Sequence, residues 1–381
     1  MSDFFICPIC ENKETKYIGY REGKPYCRKC IEFNGRNVLE VCNKPMSGKV
    51  FTSYSLTEDQ DIISQEIVKN IAGNNNVLVH AVTGAGKTEI TFNVISKFLN
   101  EGKIVAFAVP RKDIVIELYQ RLSSVFRMAQ VVSLYGGNTE RMVGNLIILT
   151  THQLYRYLNY FDLVVLDEID AFPFKNNEVL NTFLKKSNKG NFIYMTATLS
   201  DEEKEIYLNK KFKLLTLYKR FHGMPLPVPT IQIGYGVFKY ILLLSKTRKF
   251  YKELKPFLVF VPKIVECKNI YMFLKLFIKD GNCVFSSKKD RENIIKDFKN
   301  GKLKYLVTTS VLERGVTIDN LQVIIFNASH ELYTRESLIQ IAGRVGRKTS
   351  HPNGEVIYIS SKKTIEMTNS IEEISRINGS N

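Results

Sequence analysis

The sequence predicts an α/β protein with two tandem parallel-sheet domains behind a small N-terminal four-cysteine zinc module. Three observations predict it. Short apolar strands alternate with amphipathic helical segments across residues 51–215, as in a parallel sheet. A Pro-rich stretch, Phe221-His222-Gly223-Met224-Pro225-Leu226-Pro227-Val228-Pro229, then breaks the pattern, and a second alternation follows. Two C-x-x-C pairs open the chain. These divide it into a zinc module over 1–50, a first domain over 51–215, an extended linker over 216–235 and a second domain over 236–381.

The 381 residues have room for two to three ordinary domains, and 44% hydrophobic content excludes a disordered chain. Net charge is +16, with pI near 9.3, and the basic residues are spread along the chain. That points to a polyanion partner, nucleic acid or an acidic membrane surface, against a plain solvated basic surface. No run approaches the ~20 apolar residues of a membrane span, and the apolar stretch 271–278 is interrupted by Lys275. The N-terminus lacks the pattern of a secretory signal. A cytoplasmic chain with reduced thiols is expected.

Cys7-Pro8-Ile9-Cys10 and Cys27-Arg28-Lys29-Cys30 stand sixteen residues apart, the spacing of a tetrathiolate zinc site. Gly19, Gly23 and Pro25 between them suit a hairpin. A redox C-x-x-C needs a βαβ surround and no second copy. Four thiolates leave no open coordination position, so the zinc is structural. Cys42, Cys267 and Cys283 stand isolated and read as small hydrophobes.

After a strand at 76–80 comes Ala81-Val82-Thr83-Gly84-Ala85-Gly86-Lys87-Thr88, then a helical pattern over 89–99. Strand, Gly-containing turn ending in Gly-Lys-Thr, and helix form a phosphate loop, with Ala81 where the first Gly is expected. Thr83, Gly84, Ala85, Gly86, Lys87 and Thr88 would close on ATP phosphates, Lys87 at the β/γ phosphates and Thr88 on Mg²⁺. Strands at 104–109, 131–134, 146–149 and 163–166 follow. The last runs into Asp167-Glu168-Ile169-Asp170, which supplies a Mg²⁺ ligand, Asp167, and a base, Glu168. A strand at 191–195 ends in Thr196-Ala197-Thr198, whose hydroxyls can bond the carboxylates. The second half has no phosphate loop. Its strand ends lead to Thr308-Thr309-Ser310, to Arg314-Gly315, and to Gln340-Ile341-Ala342-Gly343-Arg344-Val345-Gly346-Arg347. Gln340, Arg344 and Arg347 fall on one face if that segment is helical.

This motif order resembles the superfamily 2 helicases and translocases over residues 56–350. The resemblance implies two RecA-like domains that clamp ATP between them and carry nucleic acid across their top. It implies an adenine reader, Gln60. It implies nucleic-acid contacts at Pro110, Arg111, Gly136, Gly137, Thr151, His152, Gln153, Thr308 and Thr309. It implies coupling residues Thr196, Thr198 and Gly315, and catalytic roles for Lys87, Asp167, Glu168, Gln340, Arg344 and Arg347. Within that class, the N-terminal cysteines, Pro110-Arg111-Lys112-Asp113, Thr150-Thr151-His152-Gln153-Leu154, Asp-Glu-Ile-Asp-Ala-Phe-Pro-Phe at 167–174 and the segment 221–229 resemble the ComFA family of late competence proteins. That resemblance implies an ATP-dependent single-stranded DNA translocase serving DNA import in natural transformation. It implies a ComFC-type partner and work at the inner face of the membrane, without a spanning segment; the sequence leaves the oligomeric state open, with an oligomer among the options. The expected cofactors are ATP, Mg²⁺ and Zn²⁺. The alternatives are a primosomal replication-restart-type helicase, an RNA-remodelling ATPase, and a nucleotide-gated DNA-binding adaptor that moves nothing. The primosomal family carries its zinc knuckles inside the second motor domain, whereas here they are N-terminal.

Overall fold

In the computed structural model, which describes residues 5–42, 46–312 and 317–379, each C-x-x-C pair closes a tight turn. Cys7 N–H donates to Asn12 O at 3.1 Å and Glu11 N–H to Cys7 O at 2.9 Å. Strands β1 (Ile18–Arg21) and β2 (Lys24–Cys27) form an antiparallel hairpin with Arg21 opposite Lys24. The linking Glu22 and Gly23 both have positive φ, 51° and 78°, as a two-residue turn between right-twisted strands requires. β2 therefore delivers Cys27 and Cys30 back to Cys7 and Cys10.

The chain divides into two units, Met1–Ala81 with Lys87–Leu217, and Val82–Gly86 with Tyr218–Asn381. In the first, helix α1 (Glu58–Ala72) opens on a capping box in which Thr57 N–H donates to Gln60 Oε1 at 3.0 Å. There follow β3 (Val77–Ala81), α2 (Phe92–Asn100), β4 (Val105–Val109), α3 (Lys112–Val125), β5 (Val131–Leu134), β6 (Leu146–Thr150), β7 (Phe161–Asp167), α4 (Glu178–Ser187), β8 (Asn188–Thr196), α5 (Asp201–Asn209) and β9 (Lys213–Leu217). The sheet order is β5-β6-β4-β7-β8-β3-β9, every pair parallel. β3, β4 and β6 are buried at every position, which is why they read as unbroken apolar runs. Parallel pairing brings Thr150, Asp167 and Thr196 to the same, C-terminal edge of the sheet, where ligands bind open α/β sheets.

One expected element differs. The helix over 89–99 begins as a 3₁₀ turn, Glu89–Thr91, and α2 starts only at Phe92. Thr91 Oγ1 donates to Thr88 O at 2.6 Å, a local bond that competes with regular helix.

The second unit holds β10 (Thr230–Ile233), α6 (Phe238–Lys252), β11 (Phe257–Phe260), α7 (Ile264–Lys275), β12 (Gly281–Val284), α8 (Arg291–Lys299), β13 (Tyr305–Thr308), β14 (Gln322–Phe326), α9 (Arg335–Ala342), β15 (Val356–Ser360) and α10 (Ile365–Gly379). Its parallel sheet runs β10-β15-β14-β11-β13-β12. One expectation is corrected here. Helix α9 ends at Ala342, so Arg344 and Arg347 lie in the turns beyond it and share no helix face with Gln340. Gly343 is the C-cap residue, its N–H bonded to Ile339 O. Cys267 on α7 and Cys283 on β12 are buried in the core as expected, with Cys267 Sγ donating to Val307 O at 3.2 Å.

The four-cysteine module packs on the first unit. Phe33 lies against His152 (centroids 6.2 Å, stacked), Tyr155 (5.5 Å) and Phe183 (4.9 Å). Around it, Gly35 N–H donates to Tyr155 Oη at 3.0 Å, Val38 N–H to Arg156 O at 2.8 Å, and Arg156 Nη1 to Arg36 O at 2.9 Å. Lys29 pairs with Glu178 at 2.7 Å and Lys186 Nζ donates to Pro8 O at 2.6 Å. Phe33 joins Phe5 and the buried Val38 in the apolar contact of the module with the cluster that holds Leu154, Tyr157 and Phe183. Phe33→Ala is expected to weaken the docking by about 2 kcal/mol, less than a fully buried Phe loses. Limited proteolysis checks it: cleavage between residues 33 and 50 should accelerate while the metal content stays at the wild-type value.

Candidate nucleotide site and nucleic-acid interface

The loop between β3 and α2 has the backbone that phosphate binding needs. Gly84 and Gly86 take φ of 87° and 83°, a region costly for other residues, and Ala85 N–H closes the turn on Val82 O at 3.1 Å. Thr83 Oγ1 is buried without a hydrogen-bond partner among the described residues, as is Gln340 Nε2 on α9. Orphaned donors of this kind fit a polar ligand, and the phosphate loop fits a nucleoside triphosphate. Lys87 is half-buried and Thr88 buried.

β7 ends in the two carboxylates. Asp167 Oδ1 accepts from Glu168 N–H at 2.9 Å. Burial pushes the Asp167 carboxyl up to about 6; Lys87 opposes the shift and the Glu168 carboxylate adds to it. The Lys87 charge is therefore close enough to be felt, and a divalent cation would hold Asp167 ionised. Glu168 has φ of 59°, a left-handed conformation that costs a non-glycine residue about 1 kcal/mol and turns the chain sharply after the strand. On the other flank, Glu89 pairs with Arg121, a contact no sequence motif signals.

The hydroxyls of Thr196 and Thr198, at the end of β8, converge on a third carboxylate. Thr196 Oγ1 lies 2.9 Å from Asp170 Oδ1, and Thr198 Oγ1 donates to Asp170 Oδ2 at 3.0 Å. Thr198 N–H donates to Thr196 Oγ1 at 3.1 Å. Asp170 was legible as part of the acidic cluster, yet its role as the acceptor for both threonines was not.

Gln60 is buried, and its Oε1 is occupied by the α1 cap. Pro110 is buried at the end of β4, and Arg111 precedes α3 as its N-cap residue. Gly136 and Gly137 form an exposed turn closed by Tyr135 and Asn138, with Gly137 at φ 87°. Thr151, His152 and Gln153 begin a 3₁₀ segment, Thr151–Arg156, directly after β6. Gln153 Oε1 accepts from Arg156 Nε at 2.6 Å, and burial pushes the His152 pKa down, so the ring is neutral at pH 7.

In the second unit Thr308 ends β13, its hydroxyl donating to Thr309 O at 3.0 Å. Gly315, expected to couple the two functions, and Arg314 lie outside the described residues. Arg344 is buried, and Arg347 Nε donates to Gly343 O at 3.0 Å. Sequence reasoning missed Arg220. It is buried, donates to Val345 O at 2.8 Å, and has its pKa pushed down to about 10 by burial and by Arg347. Only the break in pattern near residue 216 hints at it.

Cys7, Cys10, Cys27 and Cys30 are buried, with their sulfurs all within 4.8 Å of one another. Cys7 Sγ lies 3.5 Å from Cys30 Sγ and Cys10 Sγ 3.6 Å from Cys27 Sγ. Tetrahedral zinc with Zn–S of about 2.3 Å sets sulfurs about 3.8 Å apart, so the four residues fit the metal. Burial pushes the Cys10 thiol up to about 11 and Cys30 higher still. Four thiolates crowded together need a cation to stay charged.

Two family models match the chain: DEAD/DEAH box helicase over residues 61–206 and helicase conserved C-terminal domain over 242–349. The chain is 33% identical to Competence protein ComFA of Bacillus subtilis, over 98% of this chain and 86% of that protein. It is 35% identical to Competence protein ComFA of Streptococcus pneumoniae, over 98% and 90%. The chain belongs to the ComFA family. It is an ATP-hydrolysing superfamily 2 helicase protein of competence, with two RecA-like parallel-sheet domains. Among solved structures, yeast Dbp5 bound to RNA and ADP BeF3 superposes with TM-score 0.64 at 16% identity, covering 87% of this chain and 94% of that one. Helicase Lhr of Mycobacterium smegmatis, bound to ssDNA and AMP-PNP, gives 0.64 at 15%, covering 85% and 50%. These two show the fold of this chain. No helix among its described residues is long and apolar enough to cross a membrane. The metal reading predicts one zinc per purified chain by elemental analysis and its loss in Cys27→Ala, with ATP binding retained.

Proposed function

We propose that this ComFA-family chain is an ATP-driven translocase on single-stranded DNA that serves DNA import in natural transformation. The observation that carries the reading is the Asp170 clamp, which ties the strand end bearing Asp167 and Glu168 to the strand end bearing Thr196 and Thr198. A motor needs such a link between its hydrolytic carboxylates and the rest of the sheet edge. The +16 charge and the match to ComFA proteins over 98% of the chain support DNA as the polymer and competence as the setting.

In this reading Lys87 holds the β/γ phosphates, Thr88 and Asp167 hold Mg²⁺, and Glu168 takes the proton of the attacking water. Gln60 reads adenine. Thr196 and Thr198, with Gly315, transmit the nucleotide state. Arg344 and Arg347, with Gln340, supply guanidinium and amide groups to the phosphoryl transition state. Pro110, Arg111, Gly136, Gly137, Thr151, His152, Gln153, Thr308 and Thr309 contact the strand. The zinc module stabilises the N-terminal part of the first unit. A ComFC-type protein is the proposed partner, and the inner face of the membrane the proposed place of work.

The test is steady-state ATPase with no polymer, single-stranded DNA, duplex DNA and RNA. Single-stranded DNA should stimulate most; equal stimulation by RNA would favour an RNA-remodelling ATPase. Arg347→Ala should keep ATP affinity within a few-fold while DNA-stimulated turnover falls on the order of 10³-fold, whereas Lys87→Ala damages both. DNA affinity should fall steeply with salt and show little base preference, since the contacts are to phosphates.

A further inference from the structure

Phe172 is the most exposed aromatic side chain among the described residues, at 83% of its full accessible area, and its display is built rather than incidental. Ile169 and Ala171 before it and Phe174 after it are all buried. The loop is fixed by its own backbone: Ala171 N–H donates to Glu168 O at 2.9 Å, Phe174 N–H to Ala171 O at 2.9 Å, Lys175 N–H to Ala171 O at 3.0 Å, and Asn177 N–H to Phe174 O at 3.1 Å. Asn177 then caps α4, accepting from Leu180 N–H at 3.1 Å. An ordered loop with buried neighbours on both sides thus presents one aromatic ring to solvent.

The two ends of the loop reach candidate functional groups. It starts at Glu168, the candidate catalytic base. It ends at Asn177, which with His152, Gln153, Lys29 and Arg156 lines a groove of about 620 Å³ on the same unit. The candidate nucleic-acid turn thus borders the loop that carries the ring. We propose that Phe172 is a stacking platform for a base of the bound single strand. This rests on the single-strand reading above and adds a base contact to it. Stacking suits a motor that moves over any sequence, because every base presents a π-face.

The sequence contains no tryptophan, so Phe172→Trp creates a single emitter at the platform. Titration with oligo(dT) should quench its emission at saturation, with affinity within about twofold of wild type. Tyr235→Trp, exposed on the second unit, should keep its emission. Phe172→Ala should raise the DNA concentration for half-maximal ATPase about tenfold. Its turnover at saturating DNA and its KM for ATP should stay unchanged. An oligonucleotide of abasic sites should bind wild type and Phe172→Ala equally. Unchanged Phe172→Trp emission on a saturated strand, with wild-type DNA affinity in Phe172→Ala, overturns the platform alone. Failure of the wild-type chain to bind oligo(dT) overturns the single-strand reading and the platform with it.

Discussion

A single carboxylate, Asp170, holds the functional edge of the first sheet together. β7 and β8 are parallel neighbours whose register ends at Asp167 and Met195, and beyond it side chains join what the backbone begins. The Thr196 and Thr198 hydroxyls meet the two oxygens of Asp170, and Ile169 N–H reaches Met195 O at 3.3 Å. Hydrogen bonds to an ionised group are worth about 1.5–3 kcal/mol each, more than the roughly 1 kcal/mol that the left-handed Glu168 costs. The clamp can therefore sustain a turn that the chain alone would not adopt. That turn separates the roles of three neighbouring acids: Asp167 faces the Lys87 charge, Glu168 is thrown out of the strand direction, and Asp170 returns to β8.

The four-cysteine module depends on a different constraint. Its described residues, 5–42, contain one four-plus-four-residue hairpin and too little apolar surface to fold alone, so the metal supplies what a core would. Once closed, the module uses its tail to embrace the Thr151–Arg156 segment, through Phe33, Gly35, Arg36 and Val38. The module and the candidate nucleic-acid turn are consequently parts of one packed surface. Zinc, docking and the position of His152 belong to the same chain of contacts.

The fold was legible because parallel strands buried on both faces write themselves as apolar runs, and strand ends carry the polar motifs. The runs at 131–134 and 146–149 appear as β5 and β6 with little change at their ends. Short-range conflicts were not legible. The Thr91–Thr88 hydrogen bond that gives a 3₁₀ start to α2 leaves no periodicity signal. Neither does the stop at Gly343, which carries Arg344 and Arg347 off the helix. Long-range meetings were also hidden. Cys267 Sγ meets Val307 O only because α7 packs on β13, and Gln60 is held by a cap whose Thr57-x-x-Gln60 spacing could have revealed it. Of the candidate site, the residue types at the strand ends were readable, whereas the carboxylate that takes the two threonine hydroxyls needed coordinates.

The account stands on the Asp170 clamp as the link between hydrolysis and the polymer. The direct test is ATPase activity of the Thr196→Val, Thr198→Val double variant, which keeps side-chain volume and removes both hydroxyls, with and without saturating oligo(dT). The account predicts that ATP still binds within a few-fold of wild type and that the stimulation by DNA disappears. Wild-type stimulation in the double variant, with the chain folded, would contradict it.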